Sequence, residues 1–334
     1  QPPPEDPTVQ AAKIRADATL SSGTGHVMRC AALGIRLQAL GGTIHFVCAA
    51  LPSGLHEWLL SRDLKVHMLD DLMPGDVAVD LHKSANLARS VGPFDLLVVD
   101  HYGLGREWEQ GMRTCVNRIL VIDDLANRDH DCDVLLDQNL RDAAELRYAE
   151  LLPSGAKQFI GPRFALLRDE FDVPSLERQR DGEVNKLLVF FGGTDPGNQS
   201  LKVIDALRML RELAPETTLV LGPAHPDREL VHAHAAGLRH LTVLDASDRM
   251  SVLMSQADLA IGTCGVAAWE RCAVGLPSFV CVTANNQLED AENLHELGAV
   301  KNLGCSSIVD SMDWFNAIHE AIMDKNHIKN MGKA

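Results

Sequence analysis

Positive charge is scarce in this chain of 334 residues: 31 Lys and Arg stand against 46 Asp and Glu, a formal net charge of −15 at pH 7. Nucleic acids and anionic membrane surfaces are held through clustered Lys and Arg, so neither is expected as the main partner. No stretch approaches the roughly 18 uninterrupted apolar residues of a membrane-spanning helix. The N-terminal Gln1-Pro2-Pro3-Pro4-Glu5-Asp6-Pro7 has no apolar centre of the signal-peptide kind. It reads instead as a disordered extension, residues 1–10, and a cytoplasmic protein is expected. The eight cysteines (Cys30, Cys48, Cys115, Cys132, Cys264, Cys272, Cys281 and Cys305) contain no C-x-x-C pair, which argues against a zinc site and for small buried thiols in a reducing compartment. Two nucleotide signatures are missing as well. Neither the dinucleotide fingerprint G-x-G-x-x-G nor a P-loop with its Lys-Ser/Thr pair occurs after the glycine-rich turns.

What is present is an alternation of strands and helices. Hydrophobic residues make up 46% of the chain and charged residues 23%, enough for real cores under an ordinary surface. Strands are expected at 13–16, 44–48, 66–69, 96–100, 119–123, 134–136 and 158–160, with helices such as 27–40, 54–61 and 142–151 between them. The pattern restarts near Lys186. Strands are then expected at 186–191, 219–221, 241–244, 259–261 and 278–282, and helices at 199–213, 227–235, 249–254, 267–274 and 288–297. Such alternation implies parallel sheets, and its restart implies two Rossmann-like α/β domains, 11–160 and 161–334, joined through Gly161 to Leu176. Ligands of open α/β sheets bind beyond the carboxyl ends of the strands, so two such domains are expected to face a cleft.

The chemistry-bearing residues collect at those strand ends. Gly23-Thr24-Gly25-His26 lies between the first strand and an amphipathic helix. A glycine turn there lets backbone approach a ligand and aims free helix N–H groups at it. Histidine has an ordinary pKa near 6.5 and suits proton transfer at neutral pH; a histidine that merely caps or packs is the plain alternative. Gly192-Gly193-Thr194-Asp195-Pro196-Gly197-Asn198 follows an apolar strand and precedes a helix, the pattern of an anion cradle. Asp100-His101-Tyr102-Gly103 and Asp123-Asp124 end two further strands, where carboxylates also serve as ordinary caps and turn formers. Gly262-Thr263-Cys264-Gly265 opens a helix that carries Glu270, a carboxylate able to chelate a ribose diol or simply to pair with Arg271.

These residues occur in order together with Ile14-Arg15-Ala16-Asp17, Val27-Met28-Arg29, Gly161, Phe164-Ala165-Leu166-Leu167-Arg168, Glu170-Phe171, Trp269-Glu270-Arg271-Cys272 and Asn286-Gln287. From about Ile14 to about Ala299 the set resembles the UDP-2,4-diacetamido-2,4,6-trideoxy-β-L-altropyranose hydrolases of bacterial pseudaminic acid synthesis, which share the two-domain GT-B glycosyltransferase fold. The resemblance implies metal-independent cleavage of the sugar–UDP bond with inversion, no cofactor, a small-molecule UDP-amino sugar as partner, and a monomer. It implies that His26 is the general base, that Glu270 holds the ribose and that the Gly193-Thr194 turn sits by the diphosphate. Asn286 and Gln287 would lie near the sugar. Arg15, Gly25, Arg29, Asp100, His101, Tyr102, Cys264, Gly265 and Val266 complete the expected binding set. Asp17 is the expected orienter of the His26 ring. Relatives more often carry Gly-Gly-Ser or Gly-Gly-Thr where this chain has Cys264-Gly265-Val266, which leaves backbone N–H groups to bind phosphate. A glycosyltransferase using the same donor is the alternative reading.

Overall fold

The computed structural model describes residues 9–19, 23–73, 75–141, 146–172, 178 and 180–333. Residues 1–8 of the extension read as disordered therefore lie outside the described residues, as do 173–176 of the segment expected to join the domains. The chain divides into two compact units, the first holding the described residues of 1–19 and 26–168, the second those of 20–25 and 169–334.

The first unit is a seven-stranded sheet in the order β3-β2-β1-β4-β5-β6-β7. Its strands are β1 (Ala11–Ala16), β2 (Thr43–Cys48), β3 (Lys65–Met68), β4 (Phe94–Asp100), β5 (Val116–Ile122), β6 (Val134–Asp137) and β7 (Lys157–Ile160). Each neighbouring pair is parallel, with Ala16 of β1 opposite Asp100 of β4. Helices α1 (Gly25–Ala39), α2 (Ser53–Leu60), α3 (Val77–Val91) and α4 (Arg106–Met112) cover it. Alternate residues of a strand face opposite ways, so a sheet covered on both sides needs apolar residues at every position. β4 shows this: Val98 packs with Ile14, Val27 and Phe46, whereas Leu97 and Val99 pack with Trp108, Met112 and Ile119.

β1 breaks that rule on one face. Lys13 and Arg15 are fully buried there, and both are matched by α3. Lys13 Nζ donates to the Ser84 carbonyl at 2.7 Å. Arg15 Nε and Nη2 both donate to Asp80 Oδ2, at 3.0 and 2.7 Å. The second Asp80 oxygen accepts from Trp108 Nε1 at 2.9 Å and Ser84 Oγ at 3.1 Å. The polar inner face of α3 explains why periodicity passed over this helix. Its N-cap is ordinary: Asp76 accepts from the Val79 N–H at 3.1 Å.

The second unit is a six-stranded parallel sheet in the order β10-β9-β8-β11-β12-β13. It comprises β8 (Lys186–Phe190), β9 (Glu216–Val220), β10 (Leu241–Leu244), β11 (Leu259–Thr263), β12 (Ser278–Val282) and β13 (Val300–Cys305). Its helices are α5 (Gln199–Leu210), α6 (Arg228–Ala235), α7 (Met250–Gln256), α8 (Val266–Ala273), α9 (Leu288–Glu296), α10 (Ser311–Met323) and α11 (Lys325–Met331). Val189, Ile261 and Phe279 of the sheet form one core with Val203, Ile204 and Leu207 of α5 and with Trp314 of α10. α10 opens on a capping box in which Asp310 accepts from the Asp313 N–H and Asp313 accepts from the Asp310 N–H.

Differences from the sequence expectation have local causes. α5 stops at Leu210 rather than Leu213 because Arg211 turns to φ 53°. Of the helix expected at 142–151, residues 142–145 lie outside the described residues and 146–151 form tight turns. β13, α3, α4, α10 and α11 were not anticipated.

Two stability predictions follow from β1. Asp80→Ala removes the counterion of a buried guanidinium and is expected to destabilise the protein by about 3–5 kcal/mol in urea unfolding. Burial lowers the Lys13 amine from 10.5 to about 7. Between those values the unfolded chain binds more protons, so this residue's contribution to stability improves as pH rises and is at its most unfavourable below about 7. Lys13→Met should therefore gain on the parent by on the order of 2 kcal/mol when unfolding at pH 7 is compared with pH 10.

Candidate functional site

In an open parallel sheet the ligand site lies past the strand carboxyl ends where strand order reverses. In the first unit that point falls between β1 and β4. Asp17 and the His26 end of α1 follow β1, and Asp100, His101 and Tyr102 come at and after the end of β4.

His26 Nδ1 stands 2.5 Å from Asp100 Oδ1. Arg29, one helical turn on, grips the same carboxylate with both edges of its fork: Nε donates to Oδ2 at 2.7 Å and Nη2 to Oδ1 at 2.8 Å. Arg29 Nη1 continues to Asp124 Oδ2 at 3.1 Å, and Cys30 Sγ lies 3.5 Å from Asp100 Oδ2. Burial alone would raise the Asp100 carboxyl, but Arg29 and then His26 hold it well below the usual carboxylate range. An ionised carboxylate only accepts, so the proton shared with it sits on His26 Nδ1 and the ring lone pair sits on Nε2. The Tyr102 ring meets the His26 ring edge-on, centroids 4.6 Å apart. Burial, with the nearby Asp124 charge, pushes the Tyr102 phenol up and keeps it protonated.

The expected orienter, Asp17, is not on His26. Asp17 and Arg15 are two residues apart on one strand line and so face the same way. Arg15 Nη1 and Nη2 accordingly donate to the two Asp17 oxygens at 2.6 and 2.9 Å. Asp17 Oδ1 also accepts the Ala49 and Ala50 N–H groups at 2.7 and 3.2 Å. Its remaining neighbour is His101, whose Nε2 stands 3.3 Å from Asp17 Oδ2. Asp100 takes the orienting place. Asp124 is the group that sequence reasoning left among turn formers; the signal for it was Arg29 three residues after His26, a cation reaching two neighbouring strand ends.

In the second unit the reversal falls between β8 and β11. Gly193 and Thr194 lie in the turn after β8, where Gly192 has φ 81° and Asp195 φ 43°. A Cβ on Gly222, after β9, would come 2.3 Å from the Gly192 carbonyl, so these two turns pack backbone to backbone. The anion cradle expected at α5 is filled from within. Asp195 Oδ1 accepts the Gln199 N–H at 2.9 Å and Oδ2 the Ser200 N–H at 2.8 Å, so the leading donors of α5 already face a carboxylate. His225 is buried beside it, Nε2 3.7 Å from Asp195 Oδ2, at a position that no sequence motif marks.

α8 differs. Its N-cap is Gly265, which offers no side chain to the first N–H groups. Cys264 is buried and Gly265 and Val266 are half-buried. Glu270 is buried one turn inside this helix. Its neighbour Arg271 turns away to the Thr263 carbonyl, Nη2 to O 2.6 Å. Gln287 Oε1 accepts from the Thr283 N–H at 3.1 Å and its hydroxyl at 3.2 Å, and Asn286 stands beside it in the turn before α9. Gly25 opens α1, so its N–H lies at that helix's leading end.

No family model matches this chain. A spore coat polysaccharide biosynthesis protein, SpsG, from Bacillus subtilis is 23% identical over 299 residues, 89% of this chain and 84% of that protein. The UDP-2,4-diacetamido-2,4,6-trideoxy-β-L-altropyranose hydrolase of Campylobacter jejuni is 27% identical over 195 residues, 58% of this chain and 64% of that protein. The resemblance read from the residues is thus found again by comparison of whole sequences. Among solved structures, the spinosyn rhamnosyltransferase SpnG superposes with a TM-score of 0.63 at 16% identity, covering 97% of this chain and 94% of that one, and MurG of Acinetobacter baumannii with a TM-score of 0.62 at 15% identity, covering 97% and 93%. The fold is that of the GT-B glycosyltransferases.

The ring geometry makes a prediction independent of any reaction. Nitrogen-15 NMR of the neutral His26 ring should report the Nδ1–H tautomer, and Asp100→Asn should lose that bias; a dominant Nε2–H form in the parent would contradict the assignment.

Proposed function

We propose that the chain is a nucleotide-sugar hydrolase that cleaves the sugar–UDP bond of a UDP-2,4-diacetamido-2,4,6-trideoxyhexose with inversion, yielding UDP and free sugar. The observation that carries this reading is the His26–Asp100 pair, whose geometry leaves a lone pair on Nε2. His26 Nε2 takes a proton from water as the water oxygen attacks the anomeric carbon. The bond from that carbon to the diphosphate oxygen breaks, and UDP leaves with the electron pair. Asp100 holds the tautomer and offsets the charge that the ring acquires, the role of the carboxylate in other His–Asp pairs. A positioned base of this kind contributes roughly 10²–10⁴-fold in rate. UDP is a good leaving group, so stabilising its charge matters more than protonating it.

The leading N–H groups of α8, uncapped by a side chain, suit the diphosphate through the helix dipole. The Gly193-Thr194 turn serves it through backbone, since α5 itself is already capped. Glu270 takes the ribose hydroxyls, and Asn286 and Gln287 the sugar. The activity for which the Campylobacter jejuni relative is named supports the substrate class and the hydrolytic outcome.

Proton NMR of the purified protein with the UDP-sugar and no acceptor tests this directly. Free sugar should appear first as the anomer opposite to that of the donor. Consumption only when an acceptor alcohol is supplied would favour a glycosyltransferase instead. His26→Asn should lower kcat by roughly 10²–10⁴-fold while UDP affinity stays within about twofold. Glu270→Gln should do the reverse, weakening UDP by about tenfold.

A further inference from the structure

The strand ends of the first unit carry two Asp–His pairs, and their hydrogen bonds run in opposite senses. In the first, His26 Nδ1 faces Asp100. In the second, the Gly103 N–H donates to His101 Nδ1 at 3.0 Å, while Nε2 stands 3.3 Å from Asp17 Oδ2. An N–H donor at Nδ1 requires the lone pair there, so the His101 proton sits on Nε2, the nitrogen beside the Asp17 carboxylate. Burial would raise the Asp17 carboxyl, yet His101 and Arg15 hold it well below its ordinary value. Both ring nitrogens of His101 are therefore committed to the protein, and His101 has no lone pair to offer water or substrate.

His101 opens the turn that follows β4. Arg128 fixes the same turn from outside, with Nη2 donating to the His101 carbonyl at 3.0 Å and Nε to the Leu104 carbonyl at 2.8 Å. A Cβ on Gly103 would come 3.1 Å from His101 Cε1, so the ring folds tightly over its own turn. Tyr102 is the residue so presented, and its ring is the one lying edge-on against His26. We propose that Asp17 and His101 form a positioning pair: anchored to β1 through Arg15, they hold the turn after β4 so that Tyr102 braces the His26 ring. His101 is thereby moved from the substrate-binding set expected from sequence to a structural task one residue away from it.

The kinetic part rests on the hydrolase reading; the structural part does not. In the protein alone, the nuclear Overhauser contact between the His26 and Tyr102 rings should be strong in the parent, lost in His101→Ala, and restored in His101→Gln, whose amide again offers one donor and one acceptor. With the UDP-sugar, His101→Ala should lower kcat about tenfold with KM within about twofold, and His101→Gln should recover most of it. An intact ring contact in His101→Ala overturns the proposal. So does a rise in KM at unchanged kcat, which would make His101 a substrate ligand, or a loss as deep as that of His26→Asn. If the parent releases no sugar, the hydrolase reading fails while the ring contact still decides the positioning role.

Discussion

The Asp100 carboxylate is the constraint around which the first unit's strand ends are organised. It is fully buried at the end of β4, and a buried carboxylate survives as an anion only if charge and hydrogen bonds replace water. Arg29 supplies both in a two-pronged grip, and His26 takes the remaining direction of Oδ1. Both partners come from the first two turns of α1, so the same contacts that satisfy Asp100 tie down the start of that helix and set how its histidine is turned. The tautomer of His26 is a by-product of that satisfaction. Arg29 then reaches Asp124, tying the end of β5 into the same frame.

The two units use strand-end carboxylates for different ends. Asp100 and Asp17 each orient a histidine and are each neutralised by an arginine. Asp195 of the second unit caps α5 through two backbone N–H groups and stands near a buried histidine it does not hydrogen-bond. A capped helix has its leading donors occupied, whereas a glycine-capped helix keeps them for a ligand. That contrast separates α5 from α8, although in sequence both follow a strand and a glycine turn.

Much of this was legible in the residues. Alternation of apolar strands with amphipathic helices gives two parallel sheets, and the glycine turns mark both places where strand order reverses. Among the missed elements α3 has a physical cause: it turns Asp80 and Ser84 inward to meet Lys13 and Arg15, so its buried face is partly polar and its period is weak in a hydrophobicity count. The polar residues at the ends of β1 and β4 were legible as a group but not as pairs. Asp17 and Asp100 look alike as acidic residues near strand ends. What separates them is that Arg15 lies two residues before Asp17 on the same face of β1 and claims it, a matter of period two that the sequence does contain. The partnership of Asp100 with His26, 74 positions apart, depends on β1 and β4 being neighbours.

A net charge of −15 stands against the dianionic nucleotide proposed as ligand. The conflict is one of range. Exposed charges are screened over about 8 Å at physiological ionic strength, so the total says little about the field inside a strand-end pocket. Nor do buried arginines supply that field here, because Arg15 and Arg29 are each matched to carboxylates. What remains is backbone: the leading N–H groups of α8, which Gly265 leaves without a side-chain cap. Backbone donors bring no net charge and need no counterion, and their geometry is set by the helix rather than by a flexible side chain. An acidic chain can therefore hold an anion such as the diphosphate proposed above through fixed dipoles.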